Sequence, residues 1–228
     1  YVAQPEFWDL YQDEEIDLPS VGPIPPEEMD AHSRRIHEHF SVGEATVTEE
    51  VLRRARHGYY AAISYVDSKI AELMETLKRS GLSDDTIVIF TADHGDMMGE
   101  RGLFYKKTFF EWSARVPLLV HAPGRFAPRR VGAPVSLVDL LATLQELGGG
   151  ASEEVLETDG SSLVGLMEGR DEGPPLVAGE YLSEGVFEPT FMLRMGQYKL
   201  LYSEVDPPVL FDLVDDPLEL IDLSGSSE

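Results

Sequence analysis

Apolar residues between Thr46 and Ser80 recur at three- and four-residue spacing: Tyr59, Tyr60, Ile63, Val66, Ile70, Leu73, Met74 and Leu77. That period predicts one long amphipathic helix. Thr46 with Glu49, or Thr48 as N-cap, supplies its start, and Gly81 supplies its stop. The tyrosine pair and Met74 are expected in the core. Leu82-Ser83-Asp84-Asp85 then leads into Thr86-Ile87-Val88-Ile89-Phe90, a β-branched and aromatic run without alternation. Such a run reads as a strand buried on both faces, so the whole reads as a helix–loop–strand unit of a parallel sheet. A second strand is expected from Val116 to Val120, with Pro117 among its first residues, closed by His121-Ala122-Pro123-Gly124. Ser136 to Leu147 forms another amphipathic helix, capped by Ser136 and ended by three glycines. Asp139 within it is read as structural.

The flanks differ from this middle. Near the start, Phe7, Trp8, Leu10 and Tyr11 form one amphipathic turn, and Pro19, Pro23, Pro25 and Pro26 impose an extended surface loop. Residues 151–175 are acidic and rich in Gly and Pro, which reads as a linker across the surface. Beyond them, Phe191–Arg194, Tyr198–Tyr202 and Val209–Leu213 read as short antiparallel strands, the first pair joined as a hairpin at Gly196. The expected architecture is α/β: a mixed or parallel sheet flanked by helices over residues 1–150, a linker over 151–175, and a small antiparallel-sheet subdomain over 176–228.

Chemistry concentrates just past the Thr86 strand. Thr91-Ala92-Asp93-His94-Gly95-Asp96 places carboxylates and an imidazole where open α/β sheets bind ligands, beyond the carboxyl end of a strand. A carboxylate and a neutral imidazole are both good ligands for a divalent ion, which makes Asp93 and His94 the candidate metal ligands. Gly95 is expected to let the backbone turn, and Gly99-Glu100-Arg101-Gly102 is expected to be a flexible loop. Arg101, Lys106 and Lys107 follow, and cations beside a metal suit an anionic substrate because they offset charge on transferring oxygens. His32, His37 and His39 are read as surface residues, because a two-residue spacing does not share a helix face. His57 receives no role. His121 stands at a strand end that could face the site.

Net charge narrows the partners. The 228 residues carry −24 at pH 7, which argues against nucleic-acid backbones and anionic membrane surfaces. The same field hinders long-range steering of a simple anion, and hinders less a substrate with a cationic head and an anionic tail. There are no cysteines, so disulfides and thiolate ligands are excluded, and a reducing, cytoplasmic location is expected. No run approaches the roughly 18 apolar residues of a membrane-spanning helix. The chain opens at Tyr1 rather than Met, and a preceding segment is expected.

The stretch TADHGDMMGERGLFYKKTFFEWSARVPLLVHAPGR resembles the C-terminal metal-and-lysine segment of the sulfatase family, within the alkaline-phosphatase-like superfamily. YVAQPEFWDLYQDEEIDLP, HGYYAAISYVDSKIAELMETL, VSLVDLLATLQELGG, the D-G-S-S-L turn at Asp159 and LFDLVDDPLELIDL resemble successive further pieces, so the likeness covers nearly the whole chain. It is greatest to choline sulfatases, with phosphonate monoester hydrolases next. The resemblance implies hydrolysis of a small sulfate ester with a divalent ion, Ca²⁺ by family, held in part by Asp93 and His94. It implies a formylglycine nucleophile made from Cys or Ser in a C/S-x-P-x-R motif that this sequence lacks. It also implies that a lysine thirteen residues beyond Asp93, namely Lys106, contacts the ester and its leaving oxygen, with Lys107 as the register alternative. A homo-oligomer is expected. The alternatives are phosphonate or phosphate monoester hydrolysis, and a non-catalytic sulfatase-like module.

Overall fold

The computed structural model describes residues 1–40, 47–149 and 157–225. They divide into two compact units, Tyr1–His121 with Ser183–Val186, and Ala122–Leu182 with Phe187–Glu228. The expected division at 150 and 175 therefore runs elsewhere. The second amphipathic helix groups with the C-terminal sheet, and the tip of a later loop groups with the first unit.

In the first unit, α1 (Pro5–Trp8) and α2 (Ala31–His39) precede the long α3 (Glu49–Arg79), and the one-turn α4 (Glu111–Ala114) follows it. Thr48 caps α3, its hydroxyl accepting from the Val51 amide at 3.3 Å. The Thr46 alternative lies outside the described residues. Gly81 follows in the left-handed conformation, φ 72°. The N-terminal third of α3 packs on α1: Gly58 lies against Tyr1 and Trp8, and Ala61 is fully buried. The tyrosine pair and Met74 were expected in the core, but Tyr60 is exposed and Tyr59 and Met74 are only half-buried, and along the same stripe Ile63, Val66 and Leu73 are 50%, 49% and 70% exposed. A four-residue α1 is too short to cover a 31-residue helix.

His57, on the buried face of α3, stacks on Trp8 with ring centroids 3.9 Å apart. Its Nδ1 lies 2.5 Å from Asp13 Oδ1 and its Nε2 lies 2.9 Å from the Trp8 carbonyl. Burial alone would lower its pKa. The two acceptors, with Asp9 adding to Asp13, outweigh that and raise it above 6.5. Two acceptors on two ring nitrogens hold the doubly protonated form. This stabilisation is fully present below the unfolded pKa of about 6.5 and is lost as pH rises through the higher folded value. Urea titrations from pH 6 upward should show stability falling, and His57→Gln should flatten that fall. An unchanged slope in the variant would remove the imidazolium from the fold's energetics.

The sheet of this unit corrects the expected pairing. β1 (Val88–Thr91) and β2 (Leu118–His121) pair antiparallel, with Val88 opposite His121 and Thr91 opposite Leu118. Instead of burying both faces, the pair leaves opposed Phe90 and Leu119 exposed, at 38% and 58%. Among the described residues no third strand joins it.

The second unit contains α5 (Asp139–Leu147), α6 (Val164–Glu168) and a sheet in the order β3 (Val177–Tyr181), β4 (Thr190–Met195), β5 (Tyr198–Tyr202) and β6 (Val209–Asp212), antiparallel throughout. Asp139 acts structurally: its carboxylate accepts from the Ser136 and Ser161 amides, both at 2.9 Å. The Thr143 hydroxyl accepts from the Leu163 amide at 2.9 Å. Residues 157–175 are therefore no surface linker, because these bonds clamp the Asp159–Leu163 turn to α5 and Leu163, Val164 and Leu166 are buried. Gly160 is needed in that turn because a Cβ there would overlap the Val138 carbonyl. The expectation for 151–156 lies outside the described residues. Among the described residues no helix is long and apolar enough to cross a membrane.

Candidate active site

Asp93 and His94 follow β1 directly. The His94 amide donates to Asp93 Oδ1 at 2.9 Å, and His94 Nδ1 donates to the Gly95 carbonyl at 2.7 Å. A carbonyl can only accept, so Nδ1 carries a proton and Nε2 is the ring nitrogen left to face Asp93. It lies 3.4 Å from Asp93 Oδ2, on a carboxylate that is 85% exposed. A proton or a metal cation between the two atoms would satisfy both. The donor set, one carboxylate oxygen and one imidazole nitrogen, fits a divalent ion. Among the described residues no group of three His, Asp or Glu completes such a site.

Asp96 is otherwise engaged. Its Oδ2 accepts from the Tyr1 hydroxyl at 2.6 Å and its Oδ1 from the Met98 amide at 3.0 Å. Burial, then the bond to Asp96, raises the Tyr1 pKa above its usual value. Gly95 serves a different purpose from the expected turn. Its backbone does not need positive φ, but a Cβ there would overlap the Trp112 carbonyl oxygen. That closeness comes with a bond from the Gly95 amide to the Ser113 carbonyl at 2.8 Å.

The loop beyond is not flexible, as Gly99–Gly102 was expected to be. Glu100 is 2% exposed, and its carboxylate accepts from the Ser20 and Val21 amides at 3.0 and 2.9 Å, with Arg56 at 3.6 Å. Arg101 is buried over the Phe110 ring, 4.2 Å from its centroid. It is thus a packing element rather than a cation offered to substrate. The Met97 amide donates to the Tyr105 carbonyl at 2.6 Å, which folds the lysine-bearing segment back on the segment after His94. Met98, Arg101, Tyr105 and Lys107 all hold positive φ, between 45° and 82°. Each such residue costs about 1–3 kcal/mol and persists only where the surroundings enforce it, a condition that clusters at functional sites.

The two lysines have different surroundings. Lys107 Nζ lies 2.9 Å from Glu184 Oε1 and 4.5 Å from the centroid of the Phe40 ring. The Lys107 bond, then Ser183, brings the Glu184 pKa down to about 2. Lys106 is half-buried and makes no hydrogen bond or ion pair among the described residues. It therefore remains available to an incoming anion. Glu184 was missed by sequence reasoning, and nothing local signals it, because it lies 77 positions beyond Lys107. Val88 pairs with His121 at the end of β1 away from Asp93, so His121 does not face this site.

The Sulfatase family model matches residues 24–150, and the model for the C-terminal region of N-sulphoglucosamine sulphohydrolase matches residues 99–228. The chain is 47% identical over 225 residues to the choline-sulfatase of Rhizobium meliloti (strain 1021), covering 98% of this chain and 44% of that protein. It is 36% identical over 186 residues to arylsulfatase K of Danio rerio, covering 78% and 35%. Among solved structures it matches the phosphonate monoester hydrolase of Silicibacter pomeroyi with a TM-score of 0.86, at 24% identity, covering 99% of this chain and 49% of that one. The chain thus spans less than half the length of these relatives. The fold is of the α/β, alkaline-phosphatase-like class. Within that class, the chain belongs to the sulfatase family.

Proposed function

We propose that this chain forms the metal-and-lysine side of an active site that hydrolyses the sulfate ester of a small alcohol, choline-sulfate-like, to the alcohol and sulfate. The observation that carries this is the approach of His94 Nε2 to Asp93 Oδ2 at 3.4 Å, beside a strained loop that presents Lys106. Asp93 Oδ2 and His94 Nε2 would hold a divalent ion, Ca²⁺ by family resemblance, which when bound supplies Lewis-acid polarisation of sulfate oxygens. Gly95 and the bonds to Ser113 and Tyr105 keep the two segments in place. Lys106 sets a cation at the ester's bridging oxygen, where charge builds as the S–O bond breaks. The family's formylglycine nucleophile has no counterpart in these 228 residues, so the chain by itself is expected to show no turnover. A cytoplasmic homo-oligomer belongs to the same reading, and fractionation and light scattering test it.

The Asp93–His94–Lys106 set does not discriminate sulfate from phosphate, because both are tetrahedral oxyanions. The choline-sulfatase likeness favours sulfate. The test is kcat/KM of the protein as it occurs in its source on choline sulfate, phosphocholine and a phenyl phosphonate ester, with and without chelator. Preference for choline sulfate with loss on chelation supports the proposal. Preference for a phosphorus ester moves the activity to the phosphonate or phosphate reading, and no turnover on any ester leaves a non-catalytic module.

A further inference from the structure

Two bonds close a ring of chain around the metal pair. The Thr91 hydroxyl donates to the Pro117 carbonyl at 2.8 Å, and the Gly95 amide donates to the Ser113 carbonyl at 2.8 Å. Asp93 is the midpoint of one side, residues 91–95, and Arg115 is the midpoint of the other, residues 113–117. Both side chains are open, 85% and 79% exposed. Yet they form no ion pair with each other, and the carboxylate beside Arg115 is that of Glu111, one helical turn back at a loose 3.8 Å. A carboxylate and a guanidinium at the midpoints of the two sides of a short ring, open to solvent and not paired with each other, leave room for a cation on the first and an anion on the second. A guanidinium also matches a tetrahedral oxyanion with parallel N–H donors.

We propose that Arg115 is a substrate-binding residue that takes a sulfate oxygen opposite Asp93, so that Lys106 is left to the bridging oxygen. The inference rests on the proposed sulfate-ester reading and adds a specific anion contact to it. Arg115→Ala and Arg115→Lys, made in the protein as it occurs in its source, test it. Arg115→Ala should raise KM for choline sulfate and Ki for inorganic sulfate about 10–100-fold, the range of a lost charge-assisted hydrogen bond. Its kcat should fall far less, and the thermal midpoint should stay put. Arg115→Lys should recover part of the loss, since it keeps the charge and loses the fork. Unchanged KM and Ki, or losses that only track a lowered midpoint, would overturn the assignment.

A second readout separates this inference from the reading beneath it. Inorganic sulfate is titrated while the arginine Nε–H resonances are followed. A saturable shift of the Arg115 signal supports the contact even if no ester is turned over. Turnover by the unaltered protein, with an Arg115 signal that sulfate leaves unmoved, refutes the contact and spares the function.

Discussion

Glu219→Gln is expected to destabilise the C-terminal sheet unit by about 3–5 kcal/mol, the cost of leaving one member of a buried ion pair uncompensated. Glu219 Oε1 lies 2.6 Å from Lys199 Nζ, with side-chain exposures of 0% and 2%. Lys199 lies on β5, hydrogen-bonded in register with Arg194 of β4 and Phe211 of β6, so its ammonium has no exit to water. Glu219 holds φ 56°, and its turn is fixed by bonds from the Glu219 amide to the Asp216 carbonyl at 3.1 Å and from the Ile221 amide to the Asp216 carboxylate at 2.7 Å. The chain therefore spends backbone strain to bring this one carboxylate under β5. Lys199→Met with Glu219→Leu should recover most of the loss, because two apolar side chains remove both desolvation costs. Both tryptophans lie in the other unit, so amide exchange of β5 and β6 in urea is the suitable measurement. A cost near that of an exposed pair, below about 1 kcal/mol, would show that water reaches the couple.

Lys106→Ala, made in the protein as it occurs in its source, is expected to lower kcat for choline sulfate about 10²–10³-fold, the scale for removing one preorganised charge stabiliser. The loss should depend on the leaving group. Choline leaves as an alkoxide and needs its charge met. Nitrophenolate stabilises its own charge, so the deficit should shrink on nitrophenyl sulfate. Lys107→Ala should show a smaller loss that is equal on both esters, since Lys107 is held by Glu184 and Phe40. The reverse pattern, with the leaving-group dependence in Lys107→Ala, would transfer the role to the neighbouring position.

Much of the local structure was legible. The α3 boundaries followed from Thr48 and Gly81, and β2 overlaps the expected Val116–Val120, although it starts at Leu118 and leaves Pro117 outside. Asp93 and His94 stand just past β1 as its polarity change implied. The misreadings share one origin. A run such as Ile87–Phe90 states that a strand is apolar but not which strand pairs with it or in which direction. Likewise Gly99–Gly102 has loop composition, yet Ser20, Val21 and Arg56 make it a buried, bonded turn. The Leu163–Leu166 burial escaped notice because its acidic, Gly-rich surroundings look like a linker.

What the sequence by itself determined were features set within a few residues: helix periods, the Thr48 cap, strand positions and the adjacent Asp93–His94 pair. Those depend on local sterics and hydrogen bonding, which neighbours up to about four positions away control. Only the tertiary structure decided which polar groups are engaged. Glu184 occupies Lys107 and leaves Lys106 open, Tyr1 and the Met98 amide occupy Asp96, and Glu219 neutralises a lysine that would otherwise be stranded in a sheet. Apart from Met98, two positions from Asp96, these partners come from 20 to 95 positions away. A buried or strained group takes whichever partner the fold delivers, and no local pattern in the chain specifies that choice.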